Sequence, residues 1–397
     1  MSKPFRRTLA AELTRAVSDM PQFIHVVLGP RQVGKTTAAL QAAADFAGQH
    51  HYAAADELSP PSAVWLEQQW TTGRRLTLAG HPALLILDEV QKIPQWSATV
   101  KGLWDADRRA ELPLRVILLG SSALLLTSGA VESMAGRYLL HRAAHWSLQE
   151  CRSAFGWNLD QWLYFGGYPG AAALVDNEVV WRAYVRDALI EPALGRDVMA
   201  LHTVAKPALL RQLFGAACQL PAQVVAYSKL MGQLADAGNT TTLVHYLEHL
   251  ATAHLCSGLD KFALGRPNLR GSSPKLIVWN NALVSAVVGR SQAAVLADYS
   301  WRGRLVENAV GAQLLQQLGP LGWQVQWWRD GNAEVDFVLR GPDGAVWAVE
   351  VKSGRDGGVS GMAAFLRRYP QAKALVVGTG GMGLEAFFEA ELAAVCG

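Results

Sequence analysis

Residues 29–36 read GPRQVGKT, and the fold turns on that octet. A glycine is followed by four variable residues and then Gly-Lys-Thr. The apolar run FIHVVLGP (23–30) precedes it, and the helical stretch GKTTAALQAAADFAG (34–48) continues from it. Strand, glycine loop and helix in that order make a phosphate cradle. The glycines let the backbone wrap close to an anion, and the loop N–H groups and the helix N-terminus face it. The motif assigns nucleotide contact to Gly29, Pro30, Arg31, Gln32, Val33, Gly34, Lys35, Thr36 and Thr37. Lys35 is expected to reach the β- and γ-phosphates of ATP, and Thr36 to ligate Mg²⁺.

Two further apolar runs lie downstream, LLILDE (84–89) and VILLGSS (116–122), with helical patterns between them. Strands that are apolar along their whole length, alternating with helices, imply a parallel sheet covered on both faces. An acid at the carboxyl end of a buried strand is costly unless it has a task. Asp88 is expected to hold the water shell of Mg²⁺, and Glu89 to orient and polarise the attacking water. Two successive acids favour hydrolysis over transfer to another acceptor. Ser121 and Ser122 end the third run. Ser121 either touches the γ-phosphate or, like Ser122, caps a following helix. Arg137, expected to close that helix in SMAGRYLL (133–140), either completes a neighbouring subunit's site or complements its own helix dipole.

Bulk composition sets the frame. The chain has 397 residues, half of them hydrophobic and 17% charged, which points to several domains with large cores. A formal net charge of +3 is too small to announce a nucleic-acid binder by itself. Cys151, Cys218, Cys256 and Cys396 form no C-x-x-C pair, so zinc sites and disulfides are not expected and a cytoplasmic location is. The opening MSKPFRRTLAAELTRAV lacks the apolar core of a signal peptide, and no run is long enough to span a membrane.

Beyond residue 160 the alternation breaks at WLYFGGYPGAAAL (162–174), and helical segments follow. In YSKLMGQLADAGNTTTLVHYLEHL (227–250), Ser228 can cap a first helix and Gly238 can end it. Asn239 or Thr240 can then cap a second helix, which is a helix–turn–helix pattern. That second helix offers His245 and His249, with His254 just beyond it, but no Lys or Arg, so it is not expected to read bases. Arg6, Arg7, Arg302 and Arg304 sit on amphipathic helices, where each either touches a nucleic-acid phosphate backbone or, as is more usual, is a solvated charge.

In order along the chain, GPRQVGKTT, LLILDEVQKIPQW, LLGSSALLL, AGRY, WSLQE, GGYP, GRDV, GRLVENAV and EVDFVL…AVEVKSG resemble the prokaryotic AAA-type ATPases of the AAA_14 plus DUF4143 architecture. The resemblance covers nearly the whole chain. It implies an α/β protein: a P-loop parallel sheet of AAA type, a winged-helix-like helical region, and a restriction-endonuclease-like α/β domain. The corresponding domains are 1–160, a connector at 161–206, 207–270 and 271–397. One departure stands out: PKLIVWNNAL (274–283) has Asn280 where such proteins often carry an acid.

The stretch GAVWAVEVKSG (344–354) carries Glu350 and Lys352 on one face of a strand. Asp336 lies on the neighbouring strand pattern EVDFVLR (334–340). With Glu307 from the preceding helix, these residues make a second candidate metal site of the kind used at phosphodiesters. The alternative is a retained fold in which the same residues form an ion-paired network. The expectation is therefore ATP hydrolysis with Mg²⁺, coupled to binding or remodelling DNA through its backbone and shape, in a homo-oligomer such as a ring. The competing readings are an ATP-gated nuclease and a slow ATPase switch that binds a protein.

Overall fold

The computed structural model describes residues 5–56, 62–77, 80–121, 134–199, 204–236, 238–264, 273–354 and 360–396. They form two compact units, Met1–Ala144 and His145–Gly397. The first unit contains α1 (Thr8–Asp19), β1 (Ile24–Gly29), α2 (Lys35–Asp45), β2 (Gln49–Ala54), α3 (Ala63–Arg75), β3 (Ala83–Asp88), α4 (Trp96–Arg109), β4 (Leu114–Ser121) and β5 (Tyr138–Arg142). The strands make one sheet in the order β2-β3-β4-β1-β5, parallel throughout. Every residue of β1 and β3 is buried, as their unbroken apolar runs require. Helices α3 and α4 are tied by one buried carboxylate. Asp107 accepts from Trp70 Nε1 at 2.7 Å and from Arg74 Nε at 2.6 Å.

The second unit opens with helices Leu148–Phe155 and Leu159–Phe165, each started by a reciprocal capping box, Ser147 with Glu150 and Asn158 with Gln161. Helices Pro207–Gln219, Tyr227–Gln233 and Thr240–Thr252 follow, and then the antiparallel pair β6 (Cys256–Leu259) and β7 (Lys275–Val278). Asn239 caps Thr240–Thr252 by accepting from Thr242 N at 2.9 Å. The helix before it starts two residues earlier than expected. Ala226 occupies its N-cap, and Ser228 lies inside the helix rather than capping it. β6 and β7 pair across the boundary expected at residue 270.

The last sheet holds β8 (Gln324–Asp330), β9 (Ala333–Arg340), β10 (Val346–Lys352) and β11 (Lys373–Gly378), ordered β11-β10-β9-β8. β10 and β11 run parallel, and the other pairs are antiparallel. Helix Tyr299–Leu318, capped by Asp298, packs Val306, Ala309, Val310 and Leu314 into a core with Ile277, Phe337, Leu339 and Val349. The chain is thus mixed α/β, with a parallel nucleotide-type sheet in one unit and a smaller four-stranded sheet in the other. Among the described residues, no helix is long and apolar enough to cross a membrane.

Candidate functional site

The loop from Pro30 to Gly34 joins the buried end of β1 to the first turn of α2. Two backbone features shape it. Gly34 has φ +87°, and a side chain added at Gly29 would meet the Ala143 carbonyl oxygen at 2.0 Å. Gln32 also takes a left-handed φ of 56°. Lys35 Nζ lies back over its own loop, donating to the Gly29 carbonyl at 3.0 Å and the Pro30 carbonyl at 2.7 Å. Its ammonium therefore sits in the cradle that a phosphate would enter. Thr37 lies one residue on, in the first turn of α2.

Thr36 and Asp88 meet although 52 residues apart: Thr36 Oγ1 donates to Asp88 Oδ2 at 2.6 Å. β4 lies between β1 and β3, so the loop after β1 and the acid ending β3 face each other at one sheet edge. Asp88 is buried, and its second oxygen accepts from Glu89 N at 2.9 Å. Tyr52 donates to Asp88 Oδ2 at 3.3 Å, and burial, with help from Asp88, pushes the Tyr52 phenol up to about 12. A neutral phenol beside the acid is a contact that the sequence reading missed. Glu89 has a left-handed φ of 56°, strained for a non-glycine residue. Gln91 Nε2 fixes its carboxylate at 2.8 Å, and Lys92 stands 3.7 Å away.

Ser121 ends β4 in register with Gly29, at the same edge. Ser122 and the helix expected after it lie outside the described residues. Arg137 belongs to a turn leading into β5, where Tyr138 pairs with Ile24 at the opposite end of β1 from the loop. Five strand residues at about 3.3 Å each separate it from its own cradle. Its guanidinium makes a two-point contact with Asp105, Nε to Oδ1 at 2.8 Å and Nη2 to Oδ2 at 3.0 Å.

The other arginines are engaged as well. Arg6 pairs with Asp45, Arg302 donates to Asp160 at 2.8 Å, and Arg304 lies over the Trp301 ring. Arg7 departs furthest from a solvated charge. It is buried, donating to the Val33 carbonyl of the loop at 2.8 Å and to the Ala144 carbonyl at 3.1 Å. An arginine just ahead of an amphipathic helix gives no hint of that in sequence. The signal is three-dimensional.

In the second unit Asp336 lies on β9, and Glu350 and Lys352 on β10. β9 and β10 pair down to Val349 opposite Phe337. Beyond that point Asp336 Oδ2 takes the Val351 N–H at 2.7 Å, so a carboxylate stands in for the next rung. Glu350 is only partly exposed, and its Oε2 finds no partner among the described residues. Burial, then the charge of Asp336, push its carboxyl up to about 7, against the milder pull of Lys352. Glu307 is raised chiefly by burial. A residue that the sequence reading passed over lies among them. Lys275 is fully buried, forms an ion pair with Glu307, and stands 3.7 Å from Asp336 Oδ1. Among the described residues, no group of three His, Cys, Asp or Glu side chains is placed to hold a metal ion.

Three family models match successive parts of the chain. Residues 22–152 match the AAA_14 model, an AAA domain. Residues 156–294 match DUF8612 and residues 302–387 match DUF4143, both domains of unknown function. The chain has the AAA-type ATPase architecture with DUF4143. It is similar to the uncharacterized proteins Mb2031c of Mycobacterium bovis and Rv2008c of Mycobacterium tuberculosis. Each is 28% identical over 350 residues, spanning 87% of this chain and 74% of the relative. Among solved structures, the Aeropyrum pernix ORC1 protein in complex with DNA aligns over 74% of this chain and 94% of that one, with 12% identity and a TM-score of 0.30.

Proposed function

We propose that this chain is an Mg²⁺-dependent ATPase that couples hydrolysis to handling DNA, branched or single-stranded, as a cytoplasmic homo-oligomer. The Thr36–Asp88 contact of 2.6 Å carries the catalytic half of this reading, because it joins the hydroxyl and the carboxylate that together hold the nucleotide's metal. Bound Mg²⁺ supplies charge neutralisation at the phosphate oxygens. Lys35 leaves the Gly29 and Pro30 carbonyls for the β- and γ-phosphates. Glu89, braced by Gln91, orients water. Arg137 lies far from its own cradle, which supports a role at a neighbour's site and none at its own.

The DNA half is supported by a cleft of about 540 Å³ in the second unit. Buried Phe262 and Trp328 floor it, and Lys261, Arg329 and Arg368 rim it. Arg329 and Arg368 are held by Glu334 and Asp330 in exposed pairs that exchange readily for phosphate, and the partly exposed Tyr369 ring offers a stacking surface. Helix Thr240–Thr252 turns Glu248 and His245 outward with no Lys or Arg, which argues against base reading by this helix. The second reading, a slow ATPase switch on a protein partner, is favoured by the Arg137–Asp105 contact, which holds the arginine within its own chain.

A labelled four-way junction incubated with Mg²⁺ tests the proposal, with ATP, without ATP, and with Lys35→Ala, resolved on native and denaturing gels. Expected are ATP-dependent strand separation or branch movement with strands intact, and a turnover loss on the order of 100-fold in Lys35→Ala. Unchanged turnover in that variant ends the ATPase reading. Normal turnover with no effect on the junction transfers the lead to the protein switch.

A further inference from the structure

The carboxylates at the ends of β9 and β10 and on helix Tyr299–Leu318 include the residue types that hold divalent ions, yet a different cation lies among them. Lys275 comes from β7, which pairs with β6 and is no part of the four-stranded sheet. Its side chain is buried. The ammonium forms an ion pair with Glu307, faces Asp336 Oδ1 at 3.7 Å and donates to the Asp336 carbonyl at 2.9 Å. The Phe337 ring closes the remaining side, 4.6 Å from Nζ to its centroid.

An ammonium has three donors, and two carboxylates with one carbonyl are the acceptors it meets here. The same oxygen types serve Mg²⁺ or Ca²⁺. Asp336 Oδ2 is engaged by Val351 N, and Oδ1 faces the Lys275 ammonium at 3.7 Å. A metal entering between Glu307 and Asp336 would have to expel a buried lysine packed on an aromatic ring.

We infer that Lys275 is the resident cation of this cluster, its ammonium taking the position that a divalent ion would fill. The C-terminal carboxylates then bind no metal and cut no phosphodiester bond, and the fold around them serves as a scaffold. This holds whether or not the first unit hydrolyses ATP.

The test uses the full chain without nucleotide, titrated with Mn²⁺, with free ion counted by electron paramagnetic resonance and melting followed in parallel. Comparison with Asp336→Asn isolates this cluster from any weak binding at the P-loop. In the wild type, uptake of Mn²⁺ is expected to be the same as in Asp336→Asn, and nicking of plasmid DNA to be absent. Lys275→Met is expected to melt several degrees lower in chelator, to regain at least half of that loss with Mn²⁺, and to lose the rescue when Asp336→Asn is added. Wild-type Mn²⁺ uptake that Asp336→Asn abolishes would overturn the inference. So would a folded Lys275→Met whose melting ignores Mn²⁺. If Lys275→Met does not fold at all, the wild-type comparison decides alone.

Discussion

Arg7 precedes the first helix and has 7% of its surface exposed. A guanidinium cannot shed its charge, so its donors must be satisfied where it lies. Two of them hold the Val33 and Ala144 carbonyls, which braces the phosphate loop from behind. Loss of a hydrogen bond to a buried charged group costs about 1.5–3 kcal/mol. Arg7→Met is therefore expected to lower the melting temperature and to weaken binding of a fluorescent ATP analogue by about tenfold, which is 1.4 kcal/mol of that cost. Arg7→Lys should recover only part of this, since a point donor cannot reach both carbonyls. Unchanged nucleotide affinity in Arg7→Met would remove Arg7 from the site. Asn280 makes a comparable case in the second unit. Its Oδ1 accepts from Gly167 N at 3.2 Å and from Ala282 N at 3.0 Å, capping helix Asn281–Val288 and tying it to the Gly166–Gly167 turn. An aspartate accepts the same two bonds, so the departure from the acid preserves the cap. Asn280→Ala is expected to cost about 1–3 kcal/mol, from a lost cap and a buried N–H left unpaired. Asn280→Asp should cost much less in the same denaturant melts, and equal losses would contradict the capping account.

At the scale of elements, the ladder between β9 and β10 gives way to side chains where Asp336 takes the Val351 N–H. That opening leaves Glu350 half-buried beside another carboxylate, which raises its pKa to about 7 from the ordinary 4.5. A carboxyl raised on folding stabilises below its unfolded pKa and loses that contribution as pH climbs through its folded value. Between pH 5 and pH 8 the wild type should lose melting temperature that Glu350→Gln keeps, so the variant gains on the wild type as pH rises. A difference between the two that is constant across that range would refute the burial account. What was legible in sequence follows from the same scale. β1, β3 and β4 announced themselves as unbroken apolar runs, and the spacing of the octet fixed the loop and α2. β2 (QHHYAA) and β5 (YLLHR) did not, because they are the outer strands and carry polar residues. Thr36 with Asp88, and Asp336 with Glu350, were readable because motif and alternation place them. Lys275 with Glu307, Arg7 with Val33 and Tyr52 with Asp88 join elements whose pairing no local pattern encodes.

For the whole molecule, the two units carry separate means of stabilisation. The core around the parallel sheet, including Ile24, Leu66, Trp70, Leu85 and Val116, draws on the first unit. The cores around Phe337 and Phe365 draw on the second. The candidate nucleotide residues Lys35, Thr36, Asp88 and Glu89 all belong to the first, and the carboxylate cluster with Lys275 to the second. A ligand stabilises only the cooperative unit that binds it, by about 2.7 kcal/mol when present at 100 times its dissociation constant. Scanning calorimetry should therefore resolve two transitions. A nonhydrolysable ATP analogue with Mg²⁺ should raise one of them, and Lys35→Ala should abolish the rise. Asn280→Ala should lower the other transition and leave the nucleotide-sensitive one in place. A single transition that moves as a whole with nucleotide would mean that the two cores unfold as one, and that turnover in the first is felt directly in the second.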